Sequence, residues 1–187
     1  MKYIIFTLLI GLFLSFTLIS KKPSINMSKR TFYEHEVNTI DGIPFNLSSL
    51  KGKKLLIVNV ASQCGLTSQY KDLQALYSEY GGKNFEILAF PANNFGSQEP
   101  GTEKQIKAFC DTQFGVSFTM FEKISVRGKD QHPLYQWLCN KDLNNQKTVS
   151  VKWNFQKFLI DEEGNWVDYL LPSTSPKSDK IIKWLQN

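Results

Sequence analysis

Cysteine and histidine are scarce in this chain. Its 187 residues include three cysteines, Cys64, Cys110 and Cys139, and two histidines, His35 and His132. No pair of these residues has a spacing typical of metal ligands, and three cysteines do not make a disulfide framework. We therefore expect no metal site, and the cysteine count suits a small thiol-redox protein better.

Acidic residues are missing from the start of the chain. Five basic residues precede the first acid, Glu34: Lys2, Lys21, Lys22, Lys29 and Arg30. Removing these five from the 22 basic residues leaves 17 in residues 31–187, which equals the number of acidic residues. The net charge of +5 therefore lies at the amino terminus, and the neutral remainder gives no electrostatic case for nucleic-acid binding.

Charged residues are also absent between Tyr3 and Ser20. Eighteen helical residues extend about 27 Å, near the thickness of a hydrocarbon core. Leu18 and Ser20 fit a signal-peptidase site poorly, so we favour an uncleaved anchor over a cleaved signal peptide. Residues 1–27 are therefore interpreted as a hydrophobic anchor or signal segment followed by a linker, and residues 28–187 as a membrane-anchored or exported domain. The sequence leaves open on which side of the membrane this domain lies.

The remaining chain alternates strand and helix patterns. Leu55–Ala61 and Asn84–Phe90 are apolar runs typical of buried strands, and apolar residues from Tyr70 to Tyr80 recur at helical spacing. Later segments predict a hairpin, Val151–Asp161 with Trp166–Leu171. This order predicts an α/β, thioredoxin-like fold with a central mixed β-sheet flanked by helices.

Shorter elements are predicted around this frame. They are a hairpin of Phe32–Val37 and Ile43–Leu47, an extended segment Phe118–Val126, a polar loop Asn140–Ser150 and a closing helix Ser178–Asn187. Thr102 and Gln105 form the pattern of a capping box, which predicts a helix that ends at Gly115. Pro133 is placed to start a short helix, in which Cys139 is expected to pack.

Cys64 lies where the first central strand is predicted to end and a helix to begin. The first turn of a helix presents unpaired N–H groups and partial positive charge, so we expect the Cys64 pKa to fall below about 8.5. The alternative is a small buried hydrophobe. The neighbouring residues are polar or small, which favours a reactive thiol: Ser62, Gln63, Gly65 and Thr67. The polar loop 92–101 follows the next strand, where it is either part of the same site or a solvated turn.

Three segments together resemble the motifs of the glutathione peroxidase family. They are residues 59–65 (NVASQCG), 90–100 (FPANNFGSQEP) and 153–159 (WNFQKFL), and the resemblance extends over about residues 31–187. It implies that Cys64 is the peroxidatic residue and that Gln98, Trp153 and Asn154 complete a catalytic tetrad. Fixed amide and indole donors suit that chemistry, because they can stabilise a thiolate and a developing oxyanion.

The resemblance also gives Cys110 a role. Phe109-Cys110 followed by Phe114-Gly115-Val116 is similar to members with a resolving cysteine, which attacks the sulfenic acid to form a disulfide. Since Cys110 falls within a predicted helix, this helix would have to unwind locally. The family often has Cys and Gln at the positions of Ala92 and Asn94, and neither departure affects the tetrad.

The 140–150 loop is short, and in this it resembles the monomeric, broad-substrate branch of the family. Members of that branch tend to take electrons from thioredoxin rather than from glutathione. We therefore expect a monomeric thiol peroxidase without a bound cofactor. It would reduce hydrogen peroxide and organic or lipid hydroperoxides, with thioredoxin or glutathione as electron donor. The alternatives are a peroxide sensor and a membrane-tethered thiol–disulfide oxidoreductase, although Thr67 replaces the second cysteine of a Cys-x-x-Cys pair.

Overall fold

The computed structural model of the protein describes residues 31–187. The predicted anchor at residues 3–20, and the boundary drawn at residue 27, lie outside the described residues. Among the helices of residues 31–187, none is both long and apolar enough to cross a bilayer.

A five-stranded mixed sheet forms the centre of the domain. Its strand order is β5-β4-β3-β6-β7, and its strands are β3 (Lys54–Val60), β4 (Phe85–Pro91), β5 (Thr119–Met120), β6 (Lys157–Ile160) and β7 (Trp166–Leu170). β3 runs parallel to β4, as β4 does to β5, whereas β6 is antiparallel to both β3 and β7. A separate two-stranded hairpin joins β1 (Val37–Asn38) to β2 (Pro44–Phe45).

Helices cover both faces of the sheet, as the apolar runs predict. The helices are α1 (Gln69–Tyr80), α2 (Glu103–Phe114), α3 (Pro133–Cys139), α4 (Lys141–Asn144) and α5 (Asp179–Gln186). Alternate residues of β3 divide between two cores: Leu55 and Ile57 pack on the face that carries α3, whereas Leu56 and Val58 pack on the face of α1, α2 and α5. Burial on both faces explains why β3 is apolar throughout.

The mixed sheet with flanking helices confirms the predicted fold class, and the capping box of Thr102 and Gln105 is present at the start of α2. Several short elements differ. Phe32–Glu34 is a 3-10 helix, the predicted 140–150 loop contains α4, and the regular strand within 118–126 is limited to Thr119–Met120.

The predicted strand 151–161 is wrong in its first half. Regular pairing begins at Lys157, opposite Val58 of β3, and the preceding segment forms a turn. Phe155 has a φ of +65°, in the left-handed region, which breaks an extended chain. As a result, Trp153 and Asn154 lie in a loop at the end of the sheet.

Candidate active site

One edge of the sheet brings the three motif segments together. β3 and β4 are parallel and in register from Lys54↔Phe85 to Val60↔Pro91, so both end at this edge. β6 is antiparallel to β3 and therefore begins there, at Lys157. The turn containing Cys64, the loop containing Gln98 and the Trp153–Asn154 loop thus lie on the same end of the sheet.

The Cys64 thiol is held in a tight turn between β3 and α1. The Thr67 hydroxyl accepts a hydrogen bond from the Cys64 N–H at 3.0 Å and donates one to the Ala61 carbonyl at 2.9 Å. The Leu66 N–H points at Cys64 Sγ, with 3.4 Å between the nitrogen and the sulfur. The side chain of Cys64 is 9% exposed. Sγ therefore receives a backbone donor in a residue that is almost fully buried.

The expected place of Cys64 in the first turn of a helix is wrong. α1 begins at Gln69, five residues further on, because the chain first makes successive turns closed by bonds such as Thr67 N–H to Cys64 O, at 3.0 Å. A single backbone N–H, from Leu66, is directed at Cys64 Sγ, in place of the several free N–H groups that the first turn of a helix would present.

Gln98 and Asn154 contact each other directly. The Asn154 side-chain Nδ2 donates to Gln98 Oε1 at 3.0 Å, and the Gln98 carbonyl accepts from the Gln63 N–H at 3.0 Å. Gln98 is thereby connected both to the residue before Cys64 and to the third motif. Asn154 is fully buried, and its Oδ1 has no hydrogen-bond partner among the described residues.

Trp153 lies at the surface of this edge. Its side chain is 40% exposed and its ring centroid is 5.4 Å from that of Phe95, with the planes tilted by 45°. Trp153 is therefore not part of either buried core. A 40% exposed indole at the site edge is accessible to a bound substrate.

Asn59 is a residue whose contribution sequence reasoning missed. It is fully buried on β3, its Nδ2 donates to the Trp153 carbonyl at 3.1 Å, and its own carbonyl accepts from the Phe155 N–H at 2.6 Å. These two bonds bracket the segment that carries Trp153 and Asn154. The sequence feature that could have identified Asn59 is its position as a polar residue within an otherwise apolar strand.

Cys110 and Cys139 are buried free thiols. Burial raises the pKa of each to about 11, and at Cys110 the carboxylates of Glu99 and Asp111 add to the effect while Tyr70 opposes it. Cys110 lies within α2, as predicted, so contact with Cys64 would require α2 to open. Cys139 ends α3 and packs in the core on that face of the sheet, as its sequence position indicated.

A cavity of about 470 Å³ adjoins the Cys64 turn. It is lined by Ser62, Gln63, Glu99, Pro100, Gly101, Gln105, Ile106 and Phe109. Within residues 31–187, no cluster of three or more His, Cys, Asp or Glu side chains is placed to hold a metal ion. The chemistry available at this edge is that of a thiol, amides, an indole and one buried carboxyl group.

Comparisons with known proteins agree with this arrangement. The family model described as glutathione peroxidase matches residues 32–139. The glutathione peroxidase homolog BsaA of Bacillus subtilis is 46% identical over 158 residues, which is 83% of this chain and 99% of that protein. The hydroperoxy fatty acid reductase gpx1 of Synechocystis is 46% identical over 145 residues, 75% of this chain and 86% of that protein.

A solved structure supports the same assignment. The crystal structure of T. cruzi GPX1 matches with a TM-score of 0.65 and 36% identity, and covers 84% of this chain and 97% of that chain. These matches do not favour the alternative of a disulfide oxidoreductase. The chain belongs to the glutathione peroxidase family and is a thiol peroxidase that reduces hydroperoxides with electrons from a thiol.

Proposed function

We propose that Cys64 is the peroxidatic residue and that Gln98, Trp153 and Asn154 support its chemistry. The Cys64 thiolate attacks one peroxide oxygen, the O–O bond breaks, and Cys64 becomes a sulfenic acid. The other oxygen leaves as alkoxide or hydroxide and takes a proton to give alcohol or water. Amide and indole N–H groups at this edge of the sheet are the donors proposed to stabilise the negative charge as it moves from sulfur to oxygen.

The connection between Gln98, Asn154 and the Cys64 turn carries this proposal. Asn154 donates to Gln98, and the Gln98 carbonyl accepts from Gln63, so three segments distant in sequence are held together at the thiol. The Leu66 N–H, directed at Cys64 Sγ from 3.4 Å, adds a backbone donor to this arrangement.

We further propose that Cys110 resolves the sulfenic acid and that a thioredoxin-type protein reduces the resulting disulfide. Cys110 is one of two other thiols, and the cavity beside the Cys64 turn extends to the α2 residues Ile106 and Phe109 that flank it. The second thiol, Cys139, lies in the core on the opposite face of the sheet. The described domain is expected to act as a monomer.

Hydroperoxide consumption, followed separately with a thioredoxin system and with glutathione, tests this cycle. With thioredoxin we expect turnover by the wild type and a loss of at least about tenfold in Cys110→Ser, because a disulfide can no longer form. Cys139→Ser is the matched control and is expected to keep its turnover. Glutathione-driven turnover that is indifferent to Cys110 would contradict the two-cysteine cycle and leave Cys64 as the redox centre.

Lipid hydroperoxides are the proposed substrate class, since a relative with 46% identity is named a hydroperoxy fatty acid reductase. The apolar residues 3–20 would hold the domain beside such substrates as an uncleaved anchor. Full-length protein is then expected in the membrane fraction after carbonate extraction, and a chain that starts at residue 28 in the supernatant. Recovery of full-length chain in the supernatant would argue against the anchor.

A further inference from the structure

The cavity beside the Cys64 turn is lined by sequence neighbours of both thiols of the proposed cycle. Ser62 and Gln63 line it from the Cys64 turn, and Ile106 and Phe109 line it from α2. Cys110 is one turn further along α2 than Ile106, on the same buried face. The cavity therefore adjoins both segments that would have to meet in a Cys64–Cys110 disulfide.

Glu99 is the acidic residue that lines this cavity. Its side chain is 1% exposed, and its two carboxylate oxygens make no well-aligned hydrogen bond within residues 31–187. Burial raises its pKa, an effect that the neighbouring Ser62 hydroxyl and N–H and the charge of Lys123 partly offset. A buried carboxyl group without a firm partner costs stability, so its presence at a cavity wall calls for a chemical explanation.

The charged and titratable groups around Glu99 come from three elements. Lys123 donates through Nζ to the Glu99 carbonyl at 3.4 Å and to the Gly101 carbonyl at 2.6 Å, so its ammonium group acts on the Glu99 carboxylate through its charge and not through a hydrogen bond. Cys110 of α2 and Tyr70 of α1 both feel the negative charge of Glu99, which raises the pKa of each. Glu99 thus acts electrostatically on the thiol that is proposed to resolve.

We propose that Glu99 carries the proton between Cys110 and the leaving oxygen when the Cys64–Cys110 disulfide forms. The Glu99 carboxylate accepts the proton of the Cys110 thiol while the Cys110 sulfur attacks the Cys64 sulfur. The S–O bond of the sulfenic acid breaks, and the departing hydroxide takes the proton from Glu99 to leave as water. One thiol and one sulfenic acid give one disulfide and one water, and Glu99 returns to its initial state.

The protonated thiol of Cys110 is the reason that a base would be needed. While α2 is closed, burial holds the pKa of Cys110 at about 11, so Cys110 begins the reaction as a protonated thiol and its proton has to be removed as the disulfide forms. A carboxylate with a raised pKa is a stronger base than an exposed one, and proton transfer by a positioned base accelerates reactions by about 10²–10⁴. The inference rests on the proposed resolving role of Cys110.

Disulfide formation in Glu99→Gln tests the inference. Reduced full-length protein is mixed with one equivalent of hydrogen peroxide, peroxide loss reports oxidation of Cys64, and quenched samples analysed by mass spectrometry report the disulfide. We expect Glu99→Gln to form the disulfide at least about tenfold more slowly at pH 7 and to accumulate the sulfenic acid. Between pH 6 and 8, below the ordinary thiol pKa of about 8.5, its rate should rise about tenfold per pH unit as the thiol exposed by opening of α2 ionises unaided, whereas the wild-type rate changes little.

Two further variants separate a chemical role from a structural one. Glu86→Gln replaces another buried carboxyl group with a raised pKa, at the opposite end of β4, and should leave the disulfide rate unchanged. Glu99→Asp keeps the acid and should retain the wild-type pH profile. Glu99→Gln should melt no lower than wild type, because a neutral amide costs less to bury than an unpaired carboxylate.

The outcomes distinguish this inference from the proposed cycle. If the wild type forms no Cys64–Cys110 disulfide, the two-cysteine cycle fails, and the role of Glu99 fails with it. If the wild type forms it and Glu99→Gln matches the wild-type rate and pH profile, the inference alone is overturned. Equal slowing of Cys64 oxidation and of disulfide formation would make Glu99 structural and would also overturn it.

Discussion

At the scale of single residues, the proposed chemistry depends on Cys64. Replacement by serine substitutes a hydroxyl that is hardly ionised at neutral pH, so we expect Cys64→Ser to lose hydroperoxide turnover by at least about a thousandfold. Cys139→Ser, a change of the same kind at the end of α3, is expected to keep turnover within about twofold. Both variants are compared in the same peroxide-consumption assay. Substantial turnover by Cys64→Ser would reject Cys64 as the peroxidatic residue.

Asn59 provides a second prediction at this scale, as a positioning residue for the Trp153–Asn154 segment. Asn59→Ala removes the donor to the Trp153 carbonyl and should lower the free energy of unfolding by about 1–3 kcal/mol. Because the segment is then less well held, kcat/KM should fall about tenfold, while alkylation of Cys64 by iodoacetamide is unchanged.

Val58→Ala is a control for this loss of stability. It removes packing from the neighbouring residue of β3 without touching the Trp153 segment, so it should destabilise without the same loss of kcat/KM. Equal activity in the two variants would mean that Asn59 acts through stability alone. Parallel loss of Cys64 alkylation in Asn59→Ala would likewise contradict a local positioning role.

At the scale of elements, patterns of apolar residues predicted the long elements well. β3, β4 and α1 lie within two residues of their predicted bounds, because burial on one or both faces dictates residue type at each position. The segment before β6 was predicted as a strand because Val151, Trp153 and Phe155 alternate with polar residues. The positive φ of Phe155, which ends this pattern, depends on tertiary bonds such as that to Asn59 and leaves no trace in residue type.

Opening of α2 gives the prediction at this scale. Gly115 ends the helix in the left-handed region with a φ of +61°, its N–H bonds to Asp111 O, and the next N–H, of Val116, bonds to Cys110 O. A Cβ at Gly115 meets no atom within 4 Å, so Gly115→Ala costs about 1 kcal/mol through backbone conformation alone. If α2 must open before Cys110 reacts, this cost raises the population of the open state about fivefold, and the disulfide should form about fivefold faster.

Gly52→Ala is the matched control for this prediction. Gly52 also has a positive φ, +81°, and open space around a Cβ, but it lies in a turn before β3. Rapid-quench alkylation after addition of peroxide measures both variants. Faster disulfide formation in Gly115→Ala with none in Gly52→Ala would support opening of α2, and equal rates in both would count against it.

At the scale of the whole molecule, the sequence predicted the architecture and named candidate site residues, but it did not show how these residues are connected. The three motifs named Cys64, Gln98, Trp153 and Asn154, and the sheet topology places their segments at one edge. The hydrogen bonds of Gln63 and Asn59 join residues that are between 35 and 96 positions apart in the chain. The burial of Glu99 follows from packing around a cavity. Such relations depend on the folded geometry and have no local sequence pattern.

Lys157 couples the stability of the whole domain to pH. It is fully buried at the start of β6, where Nζ donates to the carbonyls of Pro172 and Thr174 and to the Gln69 side chain at the start of α1. Burial lowers its pKa to about 7, against the opposing effect of Asp72. Between pH 7 and the unfolded pKa of about 10.4, the unfolded chain therefore holds a proton that the folded domain lacks.

It follows that the stability attributable to Lys157 rises with pH in this range, because raising the pH removes the proton that favours unfolding. The free energy of unfolding of wild type, relative to Lys157→Met, should increase by about 1–2 kcal/mol between pH 7 and 8.5. Urea unfolding at four pH values measures this difference, in which the other titrating groups cancel. Lys71→Met, at an exposed lysine of α1, should show no such trend. A flat difference for Lys157→Met would indicate that Lys157 is buried with its charge, held by its three oxygen acceptors.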